Sequence, residues 1–222
     1  MNSLPDHRNS FVAARKRMVR EQLTGLPSAV LAAMGRVPRH EFVPVEHHAL
    51  AYRDMPLPLG YGQTISQPYI VALMTAQLDP QPASRVLELG TGSGYQAAVL
   101  AELGAEVFTV EIIEPLSQRA EATLRRLGFA NVHLRVGDGY TGWPEAAPFD
   151  AVIVTCAPER VPPPLVAQLR DGGRLIIPLG PLRNQELVKF QKHGDQLVEQ
   201  TVYPVRFVPM TGAAEHIRPN IF

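Results

Sequence analysis

Arg85-Val86-Leu87-Glu88-Leu89-Gly90-Thr91-Gly92-Ser93-Gly94-Tyr95 decides the fold. RVLEL (85–89) reads as a short buried strand, and glycines at alternate positions separate it from a helix predicted over 95–103. Bare backbone at 90, 92 and 94 lets a ligand lie close over the strand end. Downstream, EVFTVE (106–111), NVHLRVG (131–137), FDAVIVT (149–155) and GGRLIIPLG (172–180) read as further strands. Helices are expected over 115–127 and 164–170. LVKFQ (187–191) and LVEQTVYPVRFVP (197–209) flank a polar turn and predict one antiparallel strand at that edge. Apolar strands alternating with helices define an α/β fold with a doubly wound, mostly parallel seven-stranded sheet.

Upstream, the pattern is helical. Helices are expected over 10–24, from Ser28 to about Gly35, and over 68–78, with Ser66 placed as the N-cap of the third. Residues 36–67 show no strong period, which is long for a passive connection. The chain thus divides into an N-terminal helical extension with a long loop expected to be functional (1–80), an α/β core with C-terminal strands (81–212) and a tail (213–222).

Composition narrows the function classes. The 222 residues are 45% apolar, and 21 basic residues balance 21 acidic ones, so no broad nucleic-acid footprint is expected. Arg15, Lys16, Arg17 and Arg20 read as a solvated helix face, without interleaved aromatics for base stacking. One cysteine, Cys156, excludes an internal disulfide scaffold, and its position after the fourth strand suggests a packed small residue. No apolar run is long enough to span a membrane and no signal-peptide pattern is present. A cytoplasmic protein is expected. His40, His47 and His48 lack metal-ligand spacing, so no metal is expected, and His40 reads as structural.

The glycine loop selects among ligands. A dinucleotide fingerprint would require glycine at 95, and no lysine follows for a P-loop. Glu88 within the motif favours a cationic ligand over a pyrophosphate. Glu111, at the end of the second strand, can accept from two ribose hydroxyls, and Asp138 in Gly137-Asp138-Gly139 can reach an adenine amino group. S-adenosylmethionine carries those features without a phosphate. The combination resembles the Rossmann-like S-adenosylmethionine-dependent methyltransferases. That resemblance implies cofactor contacts from Glu88, Leu89, Gly90, Thr91, Gly92, Ser93, Gly94, Glu111, Ile112, Asp138 and Gly139.

Gly60-Tyr61-Gly62-Gln63-Thr64-Ile65-Ser66-Gln67-Pro68-Tyr69 is more specific. Together with VPRHEFVP (37–44) and FVPMTG (207–212), it resembles the protein-L-isoaspartate O-methyltransferase family over about residues 12–212. The resemblance implies methyl transfer to the α-carboxylate of isoaspartyl residues in damaged proteins. The ester then closes to a succinimide whose hydrolysis restores some aspartate, and some members accept D-aspartyl residues. It further implies that Ser66 is the active-site serine, that Thr64 and Ile65 flank cofactor and substrate, and that Thr211 belongs to a closing C-terminal loop. The expected partners are isoaspartyl proteins or peptides, with no nucleic acid or membrane, and the expected state is a monomer. A methyltransferase acting on RNA or a small metabolite is the alternative, and a non-catalytic cofactor-binding module is a third reading.

The chemistry supports Ser66 in this role. A backbone α-carboxylate, with a reference pKa of about 3.5, is already ionised at neutral pH and needs no general base. Alignment is what remains, and orientation can supply on the order of 7–11 kcal/mol. A serine hydroxyl holding one carboxylate oxygen adds roughly 1.5–3 kcal/mol.

Overall fold

The computed structural model describes residues 7–216. In chain order its elements are α1 (His7–Gln22), α2 (Ser28–Arg36), β1 (Leu57–Gly60), β2 (Gln63–Ile65) and α3 (Pro68–Leu78). The alternating part follows as β3 (Arg85–Leu89), α4 (Tyr95–Glu102), β4 (Glu106–Glu111), α5 (Glu114–Arg126), β5 (Val132–Val136), β6 (Phe149–Val154), α6 (Pro163–Gln168), β7 (Leu169–Leu179), β8 (Gln185–His193) and β9 (Gln196–Val205). Strands β3 to β9 form one seven-stranded sheet in the order β5-β4-β3-β6-β7-β8-β9. All neighbours from β5 to β7 pair in parallel. β8 runs against β7 and β9, as the hairpin spacing predicted.

Both faces of the sheet are covered. Val86, Val107, Ala151 and Ile153 pack on one side with α2, α3 and α4. Leu87, Leu89, Val152 and Val154 pack on the other with Phe149 and Leu165. Successive side chains of a strand point to opposite faces, so a strand buried on both sides reads as an unbroken apolar run. The N-terminal helices belong to the same core, with Met18, Leu23 and Met34 fully buried beside Val86 and Ala98. Among the described residues, no helix is long and apolar enough to cross a membrane.

Several boundaries differ from the sequence reading. Residues 36–67 hold two 3₁₀ turns and the β1–β2 hairpin. The hairpin loop is Tyr61-Gly62, both with positive φ, the signature of a type I′ turn. The N-cap of α3 is Gln67 rather than Ser66, and no side chain of its own caps it. β9 stops at Val205. The chain then crosses the sheet end, where Ala157 N–H donates to Val208 O at 2.8 Å and Met210 N–H to Ala157 O at 3.0 Å. Most of the expected tail, 217–222, lies outside the described residues.

Candidate active site

The chain leaves β3 for β4 and β5 on one side and returns to β6 on the other. The carboxyl ends of β3 and β6 therefore flank a crevice at the point where the strand order reverses. The glycine loop turns there. Gly90, Gly92 and Gly94 have φ of +94°, +53° and +85°. A Cβ on Gly90 would lie 2.5 Å from Thr155 Oγ1, whose hydroxyl donates to Gly90 O at 2.6 Å. A Cβ on Gly94 would meet Leu124 and Ala120 of α5. All three positive φ values favour glycine; at Gly90 and Gly94 packing adds to this, whereas a Cβ on Gly92 meets only ordinary contacts.

The crevice opens into a cavity of about 850 Å³, its mouth included. Of the residues expected at the site, Thr64, Ile65, Ser66, Leu89, Gly90, Thr91, Gly92, Ser93, Glu111, Ile112, Gly139 and Thr211 line it. Glu88, Gly94 and Asp138 do not. Tyr95, Gln96, Thr155, Cys156 and Met210 join the wall without having been singled out for the cofactor. The switch-point rule, applied to the end of the fourth strand, is the signal that points to Thr155 and Cys156.

Among the described residues, Glu111 is the only charged one in the wall. Its Oε2 accepts from Gly92 N–H at 2.8 Å and its Oε1 from Ile113 N–H at 3.0 Å. These bonds fix the carboxyl and leave further lone pairs for a ligand. No lysine or arginine lines the cavity, so it offers no cation for a phosphate. Bare loop backbone, one acid and an apolar floor of Leu89, Val110 and Met210 fit a cationic, phosphate-free nucleoside ligand.

Glu88 sits behind the loop, fully buried, with no hydrogen-bond partner for either oxygen among the described residues. Burial pushes its carboxyl up to about 8 and nearby Glu111 adds to the rise, while Thr109, already bonded to Thr91, opposes it. The negative charge expected of Glu88 is therefore largely absent at pH 7. Asp138 is engaged with the chain itself. Its Oδ1 accepts from Tyr140 N–H at 2.9 Å and its Oδ2 from Ala213 N–H at 2.7 Å, tying the C-terminal segment beside the cavity.

Cys156 packs against the core on the Leu87–Val154 face, as expected, and also lines the cavity; burial of its sulfur pushes the thiol up to about 12. It stays protonated and is a poor nucleophile. His40 stacks on Phe11 with 4.1 Å between ring centres, and its Nδ1 lies 2.7 Å from Tyr52 Oη, a structural setting. Arg39 is fully buried with its guanidinium over the Tyr95 ring, linking the VPRHEFVP segment to the base of the cavity.

A second cavity, about 1210 Å³ with its open mouth, adjoins the first. Pro56, Gln67, Tyr69 and Ile70 form one wall and Tyr203 to Val208 the other. Thr64, Ser66, Thr155 and Val208 line both cavities. Ser66 thus stands at their junction, half-buried.

The sequence signature of the protein-L-isoaspartate(D-aspartate) O-methyltransferase family matches residues 15–215. The chain belongs to this family. A protein-L-isoaspartate O-methyltransferase from Opitutus terrae is 57% identical over 201 residues, 89% of this chain and 86% of that one. Another, from Gloeobacter violaceus, is 57% identical over 198 residues, covering 87% and 97%. A solved protein-L-isoaspartate O-methyltransferase superposes with a TM-score of 0.82 at 32% identity, covering 89% of this chain and 66% of that one. A Plasmodium falciparum protein in complex with S-adenosyl-L-homocysteine shares the fold, with a TM-score of 0.78 at 24% identity, covering 90% and 98%.

Proposed function

We propose that this protein-L-isoaspartate O-methyltransferase transfers a methyl group from S-adenosylmethionine to the α-carboxylate of L-isoaspartyl residues in damaged proteins and peptides. The observation that carries the reading is the junction at Ser66, with a phosphate-free cofactor cavity on one side and a long, mostly uncharged groove on the other. When bound, S-adenosylmethionine supplies a methyl on a positively charged sulfur that departs as a neutral thioether.

The chain's own groups bind and align. Gly90, Thr91, Gly92 and Ser93 provide close backbone, Glu111 provides acceptors for ribose hydroxyls, and Gly139, Ile112 and Thr64 to Ser66 complete the enclosure. Ser66 donates its hydroxyl to one oxygen of the substrate carboxylate, leaving the other oxygen to attack the methyl carbon. Thr211 closes the site from the C-terminal segment. No proton has to move, because the nucleophile is already an anion. Tyr69 and Tyr203, with ring centres 6.3 Å apart, offer the flanking peptide an aromatic surface.

A balanced net charge and this groove suit a polypeptide substrate better than RNA. The same reading has the protein acting as a cytoplasmic monomer. The test is transfer of labelled methyl to a matched pair of peptides, one isoaspartyl and one aspartyl. Base-labile label on the isoaspartyl peptide alone is expected. Base-stable label, or equal label on both, overturns the reading.

A further inference from the structure

The helix that follows Ser66 has no local cap. Gln67 at the N-cap makes no capping bond of its own, and Pro68 has no N–H, so the amide of Tyr69 is the first donor of α3. That donor is taken from elsewhere in the chain. Asp54 Oδ1 accepts from Tyr69 N–H at 2.8 Å, and Asp54 Oδ2 accepts from Gln67 Nε2 at 2.7 Å. One carboxylate therefore grips the residues one and three places after Ser66.

The turn that leads into Asp54 is held by Gln22 and Arg39. Buried Arg39 donates Nε to Ala51 O at 2.8 Å, and Gln22 Nε2 donates to Tyr52 O at 3.2 Å. Arg53 N–H closes the turn onto Leu50 O at 2.9 Å. The two remaining Arg39 nitrogens have no hydrogen-bond partner among the described residues; burial lowers the pKa of the guanidinium, and the Asp54 carboxylate is among the groups that oppose that shift. The Ser66 hydroxyl, in contrast, has no bond to any described protein group, so its backbone, which fixes the position of its Cβ, is what sets where the hydroxyl can reach.

We infer that Asp54 is a positioning residue for methyl transfer, setting the Ser66 hydroxyl against the substrate carboxylate by gripping Gln67 and Tyr69. The inference rests on the proposed contact between Ser66 and that carboxylate. It also gives the extension a task in the reaction, since the chain from Arg39 to Asp54 carries the support of the serine.

A double-mutant cycle tests it, with an isoaspartyl peptide as substrate and S-adenosylhomocysteine binding as the control. Asp54→Ala is expected to lower kcat/KM by about tenfold or more when Ser66 is present, and by less than about twofold in a Ser66→Ala background. Affinity for S-adenosylhomocysteine should stay within about twofold throughout. Asp54→Asn, which keeps an acceptor for the Tyr69 amide, should fall between the wild type and Asp54→Ala and carries the same cycle if the alanine variant unfolds. Equal losses in both serine backgrounds overturn the inference, as does a loss of S-adenosylhomocysteine affinity matching the loss of kcat/KM. A wild-type protein that methylates no isoaspartyl peptide would instead sink the proposed function.

Discussion

The candidate cofactor cavity takes about half of its wall from residues 89–96 and 110–113, on two adjacent strands and the turns that follow them. The neighbouring groove joins residues 56–70 to residues 203–208, from opposite parts of the chain. The first is held by sheet-end backbone bonds: Gly90 N–H to Val110 O at 2.9 Å and Thr155 N–H to Leu89 O at 2.9 Å. The second is held by side chains reaching across the fold. Asp54 grips Gln67 and Tyr69, while Gln185 bonds both the N–H and the carbonyl of Phe207. Arg119 donates to Leu59 O at 3.0 Å and lies over Tyr61, steadying the β1–β2 hairpin. Damage to the first wall should therefore cost folding and cofactor together, and damage to the second should cost peptide alone.

Gly90→Ala is the most severe way to break this contrast. Its φ of +94° and the Thr155 hydroxyl in the path of a Cβ make the loop conformation unavailable without rearrangement. Backbone strain of about 1–3 kcal/mol plus the clash should lower the melting temperature by several degrees, and S-adenosylhomocysteine affinity should fall by roughly a hundredfold. Calorimetry reads both; a normal melt with normal affinity would mean the loop does not need its glycine.

Ser66→Ala touches the junction. Since Ser66 caps no helix, its melting temperature should not change. Its kcat/KM on an isoaspartyl peptide should drop about ten- to a hundredfold, with cofactor affinity intact. An early melt with full activity would return the residue to a structural role.

Glu88→Gln sharpens the account of the first wall. Below about pH 4.5 both folded and unfolded chains keep this proton, so nothing is lost there. Between about 4.5 and 8 the unfolded chain releases it and the folded chain does not, so stability falls as the pH rises; above about 8 the difference is constant. Denaturant titrations from pH 4 to 9 should show this slope in the wild type and its loss in the glutamine variant, a change of up to about 5 kcal/mol. Parallel profiles would place water or another partner at Glu88.

Tyr203→Ala should have the smallest effect. Losing the aromatic partner of Tyr69 should raise the peptide KM by a few-fold, leaving kcat and cofactor affinity unchanged. An equal change in cofactor affinity would show that the two cavities are not independent.

The contrast also explains which parts were legible in the sequence. RVLEL, EVFTVE and FDAVIVT announce buried parallel strands because both faces of each are apolar, and the glycine spacing follows from local φ requirements. Residues 36–67 hid a hairpin because its strands are only four and three residues long and its turn uses Tyr61 where asparagine or aspartate would signal type I′. The cap of α3 was misassigned to Ser66 because a local rule cannot see Asp54 arriving from another loop.

The family, the doubly wound sheet and most of the residues that line the crevice were determined by sequence alone, because strand period, glycine torsions and short motifs are local properties. Tertiary structure alone decided that Glu88 is buried without a partner among the described residues, that Asp138 ties down the C-terminal segment, and that Ser66 stands between two cavities. Those outcomes depend on desolvation and on hydrogen bonds between residues far apart in the chain, which become defined only when the elements pack.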